Sequence, residues 1–589
     1  MQISHARSGA RILGLALAAL AALAIAVPAA QAAKPPKPSK DVSVQLLGIN
    51  DFHGNLEPPT GSGGVITEVA GGTAVPAGGA VYLANQLRTL RQQNPNSLTV
   101  SAGDLIGASP LLSALFHDEP TIQAFNEMGL DLNAVGNHEF DEGVTELLRM
   151  QNGGCGPDNS CPNGTFGGAN FGFLAANVVY KDTGEPIFPP YAIKKFGNIK
   201  VGFIGMTLEG TPNIVSASGI QDVSFLDEAE TANKYAAELR NEHGVRAIVV
   251  LLHEGGTPTP FAGIDSCNVA GAITDIVDRT SDAVDLFVTG HTHQPYVCTA
   301  GNNSLIDGRP VTSASSFGRL VTNIGFTLDH KTKDIKDVTA DNTVVTRTQT
   351  PAADIQQLID RYNVLAAPIA NQPVGRISAT INRVSAPSGE NPLGNLIADA
   401  QLADTDDADR GGADIALMNP GGVRADLVFD APPGTGGAVT YGEAFTVQPF
   451  NNIVTTNTFT GAQLLDVLKD QWCGPVAEAQ VVLLPSSTLT YTFSRATATA
   501  ISDTPCAGAA NPVSNVRING VLLDTAATYQ VTTNNFLADG GDGFQSLRAG
   551  TNRTSLPDFD VDSLVRYLEP TLAGAPIGPA PTNRITVVP

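Results

Sequence analysis

The chain has 589 residues, 42% of them apolar and only 15% charged, with 60 glycines and 39 prolines. At roughly 100–200 residues per domain, that is chain enough for two to four domains with ample core. Its formal charge of −23 argues against nonspecific binding to nucleic-acid polymers or anionic membranes. An anionic substrate therefore needs a local positive centre built from metal ions or a few arginines.

Residues 1–33 read as an export signal. Arg7 and Arg11 precede the apolar run at 12–27, Pro28 breaks it, and small residues offer cleavage near Ala32 or Ala33. A Pro- and Lys-rich leader follows at 34–41. Over 42–338, short β-rich runs each end in a polar cluster: "VSVQLLGINDFHGN", "SLTVSAGDLIG", "LNAVGNHEFDEG", "IKVGFIGMTLEG", "RAIVVLLHEGG" and "AVDLFVTGHTHQ". Stretches of helical character lie between them, such as "AVYLANQLRTLRQQ" and "EAETANKYAAELRNE". Strands alternating with helices indicate a layered α/β domain. The character changes at 339–372, where "DIQQLIDRYNVLAAPIA" has helical periodicity and is expected to link two halves. A second globular region occupies 373–589, with a candidate helix in "NPLGNLIADAQLADT" and Pro/Gly loops at 431–437 and 573–581.

No second long apolar run follows the signal. The mature protein is therefore expected to be secreted, extracellular or periplasmic, without stable membrane insertion. An even number of cysteines in an exported chain favours disulfides, and proximity suggests Cys155–Cys161, Cys267–Cys298 and Cys473–Cys506. Nothing in the sequence sets an oligomeric state.

The polar clusters carry the chemistry. Asp51 and His53, Asp104, Asn137, His253, and His291 with His293 each follow an expected strand. Ligands line the carboxyl ends of strands in open α/β sheets, so residues spread over the first half can meet at one edge. Five of the nine histidines, His53, His138, His253, His291 and His293, fall in these clusters. Mixed Asp, Asn and His suit divalent Zn, Mn, Co or Fe rather than a thiolate zinc site. Next to Asn137 stands His138, with Asp141 three residues on. Residues i and i+3 share a face of a turn, so the carboxylate can orient the imidazole and raise its pKa.

Taken in order, "NDFHGN", "SAGDLIGAS", "VGNHEFDEG", "LLHEGG" and "GHTHQP" resemble the calcineurin-type metallophosphoesterases. The resemblance implies two divalent metal ions. Asp51, His53 and His293 would hold one, Asn137, His253 and His291 the other, and Asp104 would bridge them. His293 stands where some relatives carry glutamine or asparagine. His138 would be the general acid for the leaving group and Asp141 its orienting partner, with Glu139 and Phe140 left to backbone support and packing.

In the second half, "NPLGNLIADA", "MNPGGVRADL", "TYGEAFTVQPFNN" and "NNFLADGGDGF" resemble the substrate-binding domain of the 5′-nucleotidase family, which includes secreted bacterial nucleotidases and UDP-sugar hydrolases. The implied fold is an N-terminal four-layer α/β sandwich joined by a helix to a C-terminal α+β substrate-binding domain. The implied substrate is a nucleoside 5′-monophosphate. Phe450 and Phe536 would sandwich the base, Asp542 would accept from the ribose hydroxyls, and Arg424 would contact phosphate. Asn419 and Asn452 would be amide partners. Gly540, Gly541 and Gly543 would let the backbone turn around Asp542. Arg383 is a candidate second phosphate arginine, although its segment departs from the family in length and composition. "GNLIADA" is expected to pack as helix, with Asn395 the residue that could touch the site. UDP-sugars, nucleoside di- or triphosphates, 2′,3′-cyclic nucleotides and 3′-nucleotides are the alternatives on the same scaffold, and an inactive extracellular binding protein is the alternative outside it.

Overall fold

Strands such as Val42–Ile49, Ile199–Thr207 and Ala247–His253 are apolar almost throughout and buried along nearly their whole length. Such runs mark strands covered on both faces. The computed structural model, which describes residues 41–156, 164–302, 304–429, 437–474, 481–502 and 504–589, shows how they are covered. The expected signal, nearly all of the leader, Cys161 and 430–436 lie outside the described residues.

Two six-stranded sheets build the first half. One runs Ile335–Val344, Leu320–Leu328, Val42–Ile49, Ser97–Ser101, Leu132–Ala134, Gly172–Leu174; the last four are mutually parallel. The other runs Pro295–Cys298, Val311–Ala314, Leu286–Thr289, Ala247–His253, Ile199–Thr207, Tyr191–Phe196, with the two edge strands antiparallel. The sheets share a core that includes Val44, Leu46, Val100, Phe203, Leu251, Val288 and Phe326. Each such side chain contributes about 1.5–3 kcal/mol on burial.

Helices cover the outer faces. Ala80–Arg91 and Glu119–Met128 join the core against the first sheet. Glu228–Asn241 and Ala272–Arg279 cover the second. The order is therefore helix, sheet, sheet, helix, the four layers expected. Glu228–Asn241 shows why such a segment is helical. Asp227 caps it by accepting the Glu230 N–H, and Ala229, Ala232, Tyr235, Ala236 and Leu239 recur at helical spacing on its buried face.

The strand Ile335–Val344 crosses residue 338, because its β-branched residues pair with Leu320–Leu328 in the sheet. The linking helix spans Ala353–Ala370. It buries Ile355, Leu358, Ile359, Tyr362 and Ala366 in the first half's core and also meets the helix Tyr441–Val447 of the second half. Beyond it lie a five-stranded mixed sheet and a four-stranded sheet, packed with the helices Pro392–Thr405, Gly461–Asp470 and Asp560–Leu568.

Cys267–Cys298 and Cys473–Cys506 are disulfides, with Cα atoms 5.1 and 5.0 Å apart. No helix of the described residues is long and apolar enough to cross a membrane. Leu251 is fully buried between the sheets, so Leu251→Ala should cost about 2–5 kcal/mol in urea unfolding. A loss below about 1 kcal/mol, the range of surface substitutions, would contradict the two-sheet core.

Candidate active site

The polar clusters sit where strands of the two sheets end side by side. The turn after Val42–Ile49 carries Asp51 and His53, that after Ser97–Ser101 carries Asp104, and that after Leu132–Ala134 carries Asn137. From the other sheet, Ala247–His253 ends on His253, and His291 and His293 follow Leu286–Thr289. All seven side chains meet. Asp51, His53 and His293 form one group and Asp104, His253 and His291 another, with ligand atoms within 4.8 Å of one another in each. Asn137 Oδ1 lies 3.2 Å from His253 Nε2. Asp104 Oδ2 lies 3.0 Å from His253 Nε2 and 3.6 Å from His53 Nε2, between the two groups. Asp51, His53, Asp104, His291 and His293 all have positive φ, from 47° to 69°. Such conformations cost non-glycine residues about 1–3 kcal/mol each and concentrate at functional sites.

The surroundings aim the rings. His53 Nδ1 lies 2.9 Å from the Gly107 carbonyl and His253 Nδ1 lies 2.7 Å from that of Ala102. A carbonyl only accepts, so each Nδ1 carries a hydrogen and Nε2 is the ring nitrogen turned to the centre. The buried Asn50 amide donates to Asp51 Oδ2 and to the Ser315 carbonyl. Glu139 holds two turns together, accepting the N–H groups of Asp104, Leu105 and Gly136. Phe140 is buried edge-on to Phe225. These are the backbone support and packing expected of Glu139 and Phe140. The Phe317 ring packs against His53 and His293.

His138 and Asp141 are also brought together. His138 Nδ1 is 2.8 Å from Asp141 Oδ2, and the His138 N–H donates to Asp104 Oδ1. Burial opposes protonation of His138, but the carboxylates of Asp141 and Asp104 hold it above the ordinary histidine range.

The donor set fits cations. Asp51 Oδ1 is buried without a hydrogen bond, and the Nε2 atoms of His53 and His293 face each other at 3.1 Å. Two buried carboxylates among inward-facing imidazoles form a cluster that a positive ion would complete. Burial pushes His291 down to about 3 and His53 well below the ordinary range; burial opposes protonation of His253 too, but the carboxylates of Asp104 and Asp51 raise it to about 10, holding a proton that a bound cation would displace.

The second half closes over this centre. Phe450 stacks on His138, with ring centroids 5.5 Å apart and planes 23° from parallel. The Arg424 guanidinium lies 5.6 Å from the Phe450 centroid. Among the described residues, no carboxylate is within ion-pair distance of Arg424. Burial first, and the like charge of Arg383 second, bring it down to about 10. Arg383 donates to the Val423 carbonyl. The turn Gly541–Gly543 meets the turn Thr211–Asn213 of the first half. Within it Gly541 packs under the Phe536 ring, which a Cβ there would approach to 2.5 Å.

Three amides expected at or beside the substrate have partners within the protein. Asn419 donates to Asp542 Oδ2 at 2.8 Å and accepts from Asn534, so it aims Asp542. The Asn452 side-chain amide donates to Asp560 Oδ2 at 3.4 Å, and the Asn452 backbone carbonyl accepts the Asp560 N–H. Asn395 is buried in the second half's core, bonded to Glu390 and the Pro581 carbonyl, and does not reach the site. Sequence order concealed these partners, four of which stand 108 to 186 residues away, Glu390 being the near one.

A cleft of about 520 Å³ opens beside Arg424, between the first half, the linking helix and the second half. Its wall includes Asn55, Phe317, Asn363, Ala367, Arg424 and Thr446, but neither Phe450 nor Asp542.

Comparison with known proteins agrees with this geometry. The family model described as calcineurin-like phosphoesterase matches residues 44–295. The model described as 5′-nucleotidase, C-terminal domain, matches residues 370–549. The chain is 34% identical over 566 residues to "Cell wall protein Lmo0130" of Listeria monocytogenes, covering 90% of this chain and 67% of that one. It is 32% identical over 538 residues to "Endonuclease YhcR" of Bacillus subtilis, covering 90% of this chain but 40% of that relative. The solved structure of a 5′-nucleotidase precursor from Thermus thermophilus superposes with a TM-score of 0.74 at 25% identity, covering 93% of this chain and 99% of that one. Both halves match in order along one chain, which therefore belongs to the 5′-nucleotidase family and is a metal-dependent phosphoester hydrolase.

Proposed function

We propose that the protein hydrolyses nucleoside 5′-monophosphates to nucleoside and phosphate at a centre of two divalent cations. The observation that carries this reading is the closure of Phe450 and Arg424 onto the cluster around Asp104. Asp51, His53 and His293 would hold one cation and Asn137, His253 and His291 the other, with Asp104 placed beside both groups. Such a pair supplies charge to clamp phosphoryl oxygens and makes water a nucleophile near neutral pH.

The chain's own groups do the rest. Arg424 binds the phosphate, with no carboxylate of the described residues within ion-pair distance of it. Phe450 and Phe536 stack on the base, and Asp542, aimed by Asn419, accepts a ribose hydroxyl. Asp141 holds His138 Nδ1–H, so Nε2 presents the other proton to the leaving oxygen. As the oxygen of a water that has released one proton to solvent bonds to phosphorus, the P–O5′ bond breaks and its electron pair takes the His138 proton, giving nucleoside and hydrogen phosphate, and His138 regains a proton from solvent. Export is part of the proposal. It is supported by the apolar N-terminal run, the two disulfides and the Listeria relative named as a cell wall protein.

A second reading, hydrolysis of nucleoside diphosphate conjugates such as UDP-sugars, is favoured by the cleft beyond Arg424, which could take a group attached to the reacting phosphate. A panel on metal-reconstituted protein separates the readings. AMP should turn over with Mn, Co or Zn and stop with chelator. Inert AMP beside active UDP-glucose, 2′,3′-cyclic nucleotide or single-stranded DNA would move the substrate elsewhere.

His138→Ala should slow hydrolysis about 10²–10⁴-fold, the usual contribution of a general acid, with metal content unchanged by elemental analysis. Unchanged turnover removes the acid role. The pH dependence of KM tests Asp542. Burial pushes its carboxyl up to about 6 against the Asn419 hydrogen bond. As pH falls through that value, the carboxylate gains a proton and the ribose loses an acceptor, so KM for AMP should rise. The substrate phosphate titrates near pH 6 too, so the comparison is with Asp542→Asn. That variant should lack the extra rise, and identical pH profiles would exclude the ribose contact.

A further inference from the structure

One peptide unit touches both the metal cluster and the acid. The carbonyl of Gly107 accepts from His53 Nδ1 at 2.9 Å. Across the same peptide bond, the N–H of Ala108 donates to Asp141 Oδ2 at 3.1 Å, the oxygen that also receives His138 Nδ1 at 2.8 Å. The unit is tightly confined. Gly107 has φ +79°, and a Cβ there would meet the His138 carbonyl oxygen at 2.2 Å and Asp141 Oδ2 at 2.8 Å. Ala108 also has positive φ. A shift of this peptide would turn the His53 ring and the Asp141 carboxylate together.

Asp118, far from the motif clusters in role, holds it in place. The residue is buried, at 7% exposure. Oδ2 accepts the Gly107 N–H at 3.1 Å, and Oδ1 accepts the Ser113 hydroxyl at 2.6 Å. Ser113 is in turn tied to Thr121, in the helix Glu119–Met128. Asp118 and His117 both adopt left-handed backbone conformations to make this reach. The carboxylate thus connects a rigid helix to the turn that carries the shared peptide.

We propose that Asp118 is a positioning residue which, through the Gly107 N–H, fixes the Gly107–Ala108 peptide and with it both the metal-facing orientation of His53 and the alignment of Asp141 with His138. The proposal rests on the reading of His53 as a metal ligand and His138 as the acid. Outer partners of metal-ligating histidines, when lost, typically cost about 10–100-fold in metal affinity or activity. Asp118 acts one step further out but controls two groups at once.

The test compares Asp118→Asn and Asp118→Ala in the full chain. Mn2+ affinity is read by competition with a chelating indicator, together with kcat and KM for AMP and the metal-free Tm. Asparagine keeps an acceptor for the Gly107 N–H but loses its charge; alanine loses the acceptor. Mn2+ affinity should fall about threefold for Asn and at least about tenfold for Ala. kcat should fall in the same order while KM stays within a factor of about two, because no nucleotide contact changes. A lower metal-free Tm with Mn2+ affinity and kcat unchanged would make Asp118 a purely structural residue and overturn the proposal. If the Ala variant does not fold, Asn decides alone, and Mn2+ affinity equal to the parent's overturns it. Metal affinity is measured without nucleotide, so failure of AMP to react would count against the proposed substrate and not against Asp118.

Discussion

The site depends on the burial of Asp104. Its carboxylate is 1% exposed and has a different task at each oxygen. Oδ1 takes the His138 N–H, while Oδ2 faces His53 and His253. Removing a carboxylate from water is costly unless charge and hydrogen bonds replace the solvent. Much around it meets that demand. Imidazoles approach Oδ2, and Glu139 secures the Asp104 and Gly136 N–H groups so that the two turns stay in register. His138, the proposed acid, is therefore tied by its own backbone N–H to Asp104, which lies between the two groups.

Larger structure exists to bring those turns together. Asp104 and Asn137 come from one sheet and His253 and His291 from the other, so neither sheet alone could assemble the cluster. The inter-sheet core sets their separation, and the parallel strands put every ligand-bearing turn at the same end. The linking helix adds the second half. Because it is packed into the first half's core and also touches Tyr441–Val447, it fixes the wall from which Arg424 and Phe450 reach inward.

Much of this was legible in the sequence. Apolar runs ending in Asp, Asn or His located the strands and all seven members of the cluster, and the i, i+3 spacing found the His138–Asp141 contact. The helices at 80, 228, 354 and 392 began within a residue or so of where their periodicity placed them. Residues whose meaning depends on distant partners were not legible. Asn419 and Asn452 are amides in the right motifs, but Asp542 and Asp560 claim them. Asn395 reads like a site residue until Glu390 and Pro581 are seen to enclose it. Asp118 follows a histidine in an unremarkable turn, and only the fold lays it against Gly107. Local pattern reports periodicity and composition; it does not report which of several polar groups a buried amide or carboxylate will face.

The left-handed backbone at Asp51, His53, Asp104, His291 and His293 restricts which replacements the centre can accept. Among non-glycine residues, that conformation is adopted most readily by Asn, Asp and His, and least readily by β-branched side chains. The same three residue types are good ligands for a divalent cation. Steric and chemical selection therefore act in the same direction at these positions. An exchange such as His293→Asn would keep the turn while changing the donor atom offered to the proposed cation, without refolding the loop. A change to valine or threonine would fail on backbone grounds before the chemistry was tested.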